Sequence, residues 1–226
     1  MLMAENNCCA FVQARMSSSR LPGKMLKILH GRPIVDHVLE AATAAVGHDQ
    51  TVLLTSSDPS DDPLAAHVAG IGYKVFRGDL LNVFGRFRSC LEEHSCLWFF
   101  RICGDSPFLS PSLLEEALQR AKLSSECDII TNVFPRTFPT GQSVELVNSN
   151  TFLGIDDLKL NDEEKEHVTP VYYKNPTQYK IEVLRAKNPY PVSPGFAVDT
   201  LEDLDRLERH QGRPRFRFKD QPKTMP

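Results

Sequence analysis

The 226-residue chain is 41% hydrophobic and 24% charged, with a formal net charge of −3. That balance fits an ordinary globular protein and excludes a global basic face for nucleic acid. No apolar run approaches the ~20 residues of a membrane span, and Met1 to Asn7 has neither the basic start nor the apolar core of a signal peptide. A cytoplasmic protein with no membrane or nucleic-acid partner is expected, folded as one domain over 1–226. Its six cysteines include no C-x-x-C pair and no zinc spacing, so they read as small buried hydrophobes.

Taken in order, Cys9 to Val12 is a short buried strand, and a helical apolar stripe (Ile34, Val35, Val38, Leu39, Ala42) opens just after Pro33. Thr51 to Thr55 predicts a second strand, Leu64 to Ala69 a brief helix and Tyr73 to Phe76 a third strand. Asn82 to His94 reads as a helix with Val83, Phe87 and Leu91 on one face. Cys96 to Ile102, the most hydrophobic strand, belongs at the centre of the sheet. Pro111 to Leu123 and Cys127 to Thr131 add a helix and a strand. The alternation specifies an α/β fold with a doubly wound, mostly parallel sheet.

From Asn132 to Val147 the pattern changes to an extended, turn-rich stretch with Pro135, Pro139 and Gly141. It predicts a protruding arm, either a dimerisation arm or a lid. Phe134, Phe138 and Val144 are more apolar surface than a small arm buries alone, which favours a homodimer. Tyr179 to Leu184 predicts a further strand, Phe196 to Val198 a short one, and Leu201 to His210 a closing helix. Residues 213–226, with five cations and three prolines, read as a surface tail.

The chemistry concentrates between the first strand and the first helix, where the carboxyl end of an open α/β sheet binds ligands. There Arg15, Arg20 and Lys24 supply permanent charge, Ser17, Ser18 and Ser19 supply hydroxyl and backbone donors, and Gly23 lets the main chain approach a ligand. Pro22 and Gly23 keep the stretch from being a helix. A polyanion, specifically a nucleoside triphosphate, is the expected partner. The loop is not a Walker sequence: the upstream glycine is missing and Met25 follows Lys24 where Ser or Thr belongs. Arg15 and Lys24 are expected as exposed cations whose removal leaves the fold intact.

Asp105, in Gly104-Asp105-Ser106-Pro107, follows the central strand onto the same rim and is the natural anchor for Mg²⁺ arriving with a triphosphate, since magnesium needs only one or two carboxylates. The alternative is a turn aspartate. Asp199 could join it there, or serve with Thr200 only as a helix cap.

Together, Gln13-Ala-Arg-x-x-Ser-x-Arg-Leu-Pro-Gly-Lys24, Phe76-Arg-Gly78, Arg101-x-x-Gly-Asp-x-Pro107, Glu166-His-Val-Thr-Pro170 and Val198-Asp-Thr200 resemble the cytidylyltransferases of spore-coat polysaccharide biosynthesis protein F type, relatives of the CMP-KDO and acylneuraminate synthetases. The resemblance implies a nucleotide-diphospho-sugar-transferase-like fold and transfer of CMP from CTP to a sugar or sugar-acid hydroxyl, with pyrophosphate released. It implies that Arg15, Arg20 and Lys24 bind the triphosphate, that Asp105 and Asp199 hold magnesium, and that Arg77 and Arg101 face the nucleotide. Arg15, Lys24 and Asp105 are the candidate catalytic residues, and Glu145 and His167 the candidate acceptor-binding ones. Asn82-Val83-Phe84, Cys103 and Ser143 depart from the family pattern and bear on the acceptor. Two other readings stay open: a glycosyltransferase consuming a nucleotide sugar, although Gly104-Asp105-Ser106-Pro107 after the central strand is not the Asp-x-Asp metal motif usual there, and a non-catalytic nucleotide-binding module.

Overall fold

The computed structural model describes residues 8–124 and 126–218. In chain order the elements are β1 (Cys8–Gln13), β2 (Ile28–Leu29), β3 (Arg32–Pro33), α1 (Ile34–Val46), β4 (Thr51–Ser56), α2 (Asp62–Gly70), β5 (Lys74–Gly78), α3 (Val83–Glu93), β6 (Trp98–Cys103) and α4 (Pro111–Leu123). There follow β7 (Ile129–Thr131), β8 (Glu145–Asn148), α5 (Ser149–Leu153), α6 (Asp162–His167), α7 (Pro170–Lys174), β9 (Ile181–Val183) and α8 (Leu201–Glu208).

Seven strands form one sheet in the order β5-β4-β1-β6-β8-β7-β9, with β6 at the centre. β1 pairs parallel with both β4 and β6, β4 pairs parallel with β5, and only β8 runs against its neighbours. The carboxyl ends of β5, β4, β1 and β6 therefore share one rim.

Two-residue alternation gives each face its own core. Ala10 and Val12 of β1 and Phe100 and Ile102 of β6 pack with the buried stripes of α1 and α4; Cys9, Phe11 and Phe99 face α3, α5 and α7. Phe11, Phe99 and Phe100 are fully buried, each stabilising by about 1.5–3 kcal/mol. α3 starts where Asn82 accepts a hydrogen bond from Gly85 N at 2.9 Å, and α8 starts with a capping box between Thr200 and Asp203. A third cluster, Leu21, Leu29, Ile34, Phe108, Val198 and Leu207, fastens the segment before α8 over the loop that follows β1.

Three expectations change. The stretch 132–147 does not protrude: Phe138 and Val144 are fully buried, and Glu145 to Val147 belong to β8. Its backbone is knitted to the body by amides, with Asn132 Nδ2 donating to Gln142 O at 2.7 Å and Gln142 Nε2 to Phe108 O at 2.8 Å. The apolar surface that favoured a homodimer shrinks to Phe134, stacked on Tyr173 of the same chain. Residues 213–218 are docked, because Phe216 and Phe218 pack on Phe138 and Arg213 donates to His37 O at 2.7 Å; the remainder of the expected tail lies outside the described residues. Finally, Phe196 to Val198 forms no strand; it is held to the sheet rim by Val198 N donating to Asp105 O at 2.9 Å.

Candidate active site

The loop leaving β1 is shaped before any ligand arrives. Met16 O accepts from both Ser18 N and Gly23 N at 2.9 Å, closing the chain on itself. Gly23 turns the corner at φ 71, a left-handed conformation that side chains resist. The loop's base is fastened by Asp61, a fully buried carboxylate. One oxygen accepts from Met16 N at 2.6 Å, and the other takes Ser56 N at 3.1 Å and the Ser56 hydroxyl.

Lys24 departs from expectation. The Leu21 anchor and the turn at Gly23 draw it inward to 6% exposure, where Nζ donates to Asp105 Oδ2 at 2.8 Å, Val198 O at 2.9 Å and Asp199 Oδ1 at 3.1 Å. Three acceptors match the three donors of an ammonium group. Burial pulls its pKa down, but Asp105 and Asp199 outweigh burial and hold it above the ordinary lysine value. Lys24 thus joins three distant parts of the chain at one point.

Around this knot lies a cavity of about 400 Å³, walled by Ser17 to Arg20, Arg15, Arg101, Cys103, Asp105, Asp199 and His167. Arg20 reaches Asp199 at 3.0 Å and Arg15 reaches Glu166 at 3.0 Å, both partly exposed pairs that an incoming polyanion can exchange. Burial pushes the Cys103 thiol up to about 11, against the pull of Arg101, so it stands as a neutral wall and not as a nucleophile.

Two predicted residues occupy other places. Arg77 is outside the cavity wall and is spent on Ser56 O at 2.8 Å, Asp58 O at 3.1 Å and Asp62 at 2.6 Å. Glu145 lies behind the wall, 3% exposed, where it pairs with Arg101 NH1 at 2.8 Å and accepts from Thr169 at 2.7 Å and Tyr173 at 2.5 Å. It orients Arg101, whose Nε is also held by Gln13 at 3.0 Å.

The donor set fits a hard divalent cation. Asp199 Oδ2 carries no hydrogen bond and Asp105 Oδ1 accepts only from Ser106 at 3.3 Å, among the described residues. Each carboxylate thus has an oxygen to offer beside a cationic phosphate site, enough for magnesium when phosphate and water complete the shell. No group of three or more His, Cys, Asp or Glu gathers among the described residues, which disfavours a metal caged by protein alone.

Sequence reasoning missed Asp61 and Arg86, and it placed Gln13 and Glu166 in motifs without giving either a role. Arg86 had a signal: it lies three residues after Val83, on the apolar stripe of α3, where a charge needs a reason.

The family model for cytidylyltransferases matches residues 9–216. The spore coat polysaccharide biosynthesis protein SpsF of Bacillus subtilis (strain 168) is 32% identical over 211 residues, covering 90% of this chain and 85% of that protein. A cytidylyltransferase structure from Leptospira borgpetersenii superposes with a TM-score of 0.84 at 24% identity, over 89% of this chain and 85% of that one. The structure of a CMP:2-keto-3-deoxy-manno-octonic acid synthetase complexed with CTP superposes at 0.69 and 18% identity, over 89% and 97%. These two likenesses establish the nucleotide-diphospho-sugar-transferase fold. From the family match across residues 9–216 and the 32% identity to SpsF over 90% of its length, the chain belongs to the cytidylyltransferase family of CTP-dependent nucleotidyltransferases.

Proposed function

We propose that the chain transfers CMP from Mg²⁺-bound CTP to a hydroxyl of a sugar or sugar acid, releasing pyrophosphate, in the cytoplasmic synthesis of a surface polysaccharide or glycoconjugate. The observation that carries this reading is the grip of Lys24 on Asp105 and Asp199 beneath a loop of serines and arginines. An acidic pair beside cationic donors suits a metal-bound triphosphate.

In the reaction, the acceptor oxygen forms a bond to the α-phosphorus as the bond to the pyrophosphate oxygen breaks in line. Arg15, Arg20 and the amides and hydroxyls of Ser17 to Ser19 bind and orient the triphosphate and take up the charge that grows on the leaving group, while Lys24, its three donors given to Asp105, Asp199 and Val198 O, holds the two carboxylates in place beneath it. Each charge-assisted contact contributes about 1.5–3 kcal/mol. Asp105 and Asp199 would hold magnesium, which supplies charge neutralisation at the phosphates when bound. Arg101, fixed by Gln13 and Glu145, lines the same cavity and adds positive charge for the nucleotide, and His167 on its wall takes the acceptor hydroxyl proton. No covalent enzyme intermediate is needed. As for assembly, a homodimer through 132–147 would use Phe134, the exposed aromatic of that stretch. Light scattering at micromolar concentration reads it directly.

Pyrophosphate release from CTP and Mg²⁺ across a panel of neutral sugars, acid sugars and phosphorylated or phosphonate acceptors tests the function. Release with one acceptor class and none without an acceptor is the expected result. Nucleoside diphosphate release from a nucleotide sugar would indicate a glycosyltransferase instead. CTP binding with no pyrophosphate from any acceptor would favour a binding module.

A further inference from the structure

Residues 184–194 and 210–218 contain no aspartate or glutamate, although the whole chain carries a net charge of −3. The two stretches meet. Ala186 bridges Phe218 in antiparallel fashion and Lys187 N donates to Arg217 O at 2.9 Å, so a short ribbon forms beyond the edge strand β9. Strand alternation sorts its side chains. Leu184 and Ala186 are buried in the core, and Phe216 and Phe218 pack on Phe138. Arg185, Lys187, Arg215 and Arg217 take the other face and are exposed. Register makes this face unfavourable by itself: Lys187 and Arg217 stand directly opposite one another, and like charges so placed destabilise a strand pair. Arg213 is committed to His37 O and Glu40 of α1, whereas none of the other four makes an ion pair among the described residues.

The surroundings narrow what would relieve that repulsion. The four cations line neither the cavity described above nor the one beside Asp79 and Lys165, so their partner is an extended anionic surface and not an enclosed small molecule. Single-stranded nucleic acid would need exposed rings on which bases stack. Here Tyr190, Phe216 and Phe218 are all turned onto Phe138. The segment continuing from Lys187 instead exposes Pro189, Pro191 and Val192, the last at 45%. Apolar groups beside a row of cations are the combination that holds a segment in a lipid headgroup layer.

We propose that this ribbon docks the protein on an anionic lipid surface, with Arg185, Lys187, Arg215 and Arg217 against the headgroups and Pro189 to Val192 entering between them. No helix among the described residues is long and apolar enough to cross a membrane, so the contact is peripheral. The expectation of no membrane partner rested on the lack of a span, which such a contact does not need. β9 lies three strands from β6, about 14 Å away, and its carboxyl end shares the β6 rim, because β7 and β9 are parallel and β8 runs against both β6 and β7. Docking thus brings the rim of the cavity beside the bilayer without engaging any residue of the nucleotide site, and it does not depend on the nucleotide chemistry.

The test is cosedimentation of the full chain with vesicles of mixed phosphatidylglycerol and phosphatidylcholine, and with vesicles of phosphatidylcholine alone, at moderate salt. Binding to the mixed vesicles and none to the neutral ones is the expected result. Each cation near an anionic surface contributes about fivefold in affinity, so Lys187→Gln should lose about fivefold. Arg185→Gln, Lys187→Gln, Arg215→Gln and Arg217→Gln combined should lose on the order of 10²- to 10³-fold. Lys187→Gln should melt at or above the wild-type temperature, since the opposed charges are relieved, and its CTP affinity should match wild type. Val192→Ser should weaken vesicle binding by about threefold or more, as part of one valine leaves the headgroup layer. A wild type that ignores the mixed vesicles, or binds both kinds equally, overturns the proposal, as does undiminished binding by the Lys187→Gln and combined variants. Tighter binding to single-stranded RNA or to polyglutamate than to the mixed vesicles would give the ribbon a nucleic-acid or acidic-protein partner and overturns the lipid assignment.

Discussion

Replacing Lys24 by Met removes the ammonium from beneath Asp105 and Asp199 and keeps most of the side-chain volume, so charge is what the experiment reads. Breaking a buried ion pair from one side costs about 3–5 kcal/mol, because the partner is left uncompensated. Here Asp105 and Asp199 keep 26% and 34% side-chain exposure, and Arg20 still reaches Asp199. Water and Arg20 absorb part of the penalty, leaving about 2 kcal/mol. For a chain of this size that lowers the melting temperature by about 4–8 °C. The pH dependence adds a signature. A lysine whose folded pKa is raised contributes stability that is complete below its ordinary value of 10.5 and is lost as pH rises through the folded value. The gap between wild type and Lys24→Met should therefore be full at neutral pH and narrow above 10.5. Arg15→Ala is the control: its exposed pair with Glu166 contributes about 0–1 kcal/mol, so it should weaken CTP binding with little change in melting. Calorimetric unfolding across pH, with CTP titrations at neutral pH, measures both quantities. A Lys24→Met melting point equal to wild type at neutral pH would refute the reasoning, as would a gap that persists undiminished far into the alkaline range.

Asp105→Asn should keep an oxygen for Lys24 Nζ, with Asp199 still pairing the ammonium, and so cost less stability than Lys24→Met, about 1 kcal/mol, while lowering kcat by ~10² through loss of the carboxylate offered to magnesium; near-normal pyrophosphate release would remove that role. Glu145→Ala should cost about 3–5 kcal/mol, since Arg101, 12% exposed, loses its only carboxylate partner among the described residues, and a denaturant midpoint matching wild type would contradict it. Gly141→Ala should cost at least about 2 kcal/mol, because φ is +79 and the new Cβ would lie 2.4 Å from Phe196 C. The strain pushes on the segment carrying Asp199, so turnover should fall with stability, and a variant equally stable and active would exclude the contact.

What the sequence determined by itself is local in origin. Alternating apolar periods of two and 3.6 residues specify β1, β4, β6, α1, α3 and α4, because each buries one face against neighbours that follow it closely. The loop from Arg15 to Lys24 was legible too, since its residue types already describe an anion site. The short helices α5, α6 and α7, at five, six and five residues, carry too few turns for a period and went unread. Only the tertiary structure decided the rest. Lys24, Asp105 and Asp199 look like separate cation, turn and cap, and become one knot because the sheet places the ends of β1 and β6 side by side while the cluster around Val198 brings the segment before α8 over them. The same long-range packing turned an apparent arm into wall by burying Phe138 beneath residues nearly eighty positions later. It also put Arg86 on the cavity wall with its Nε buried and without a partner, among the described residues. Burial and pairing depend on contacts between segments far apart in the chain, and no local pattern encodes which of them meet.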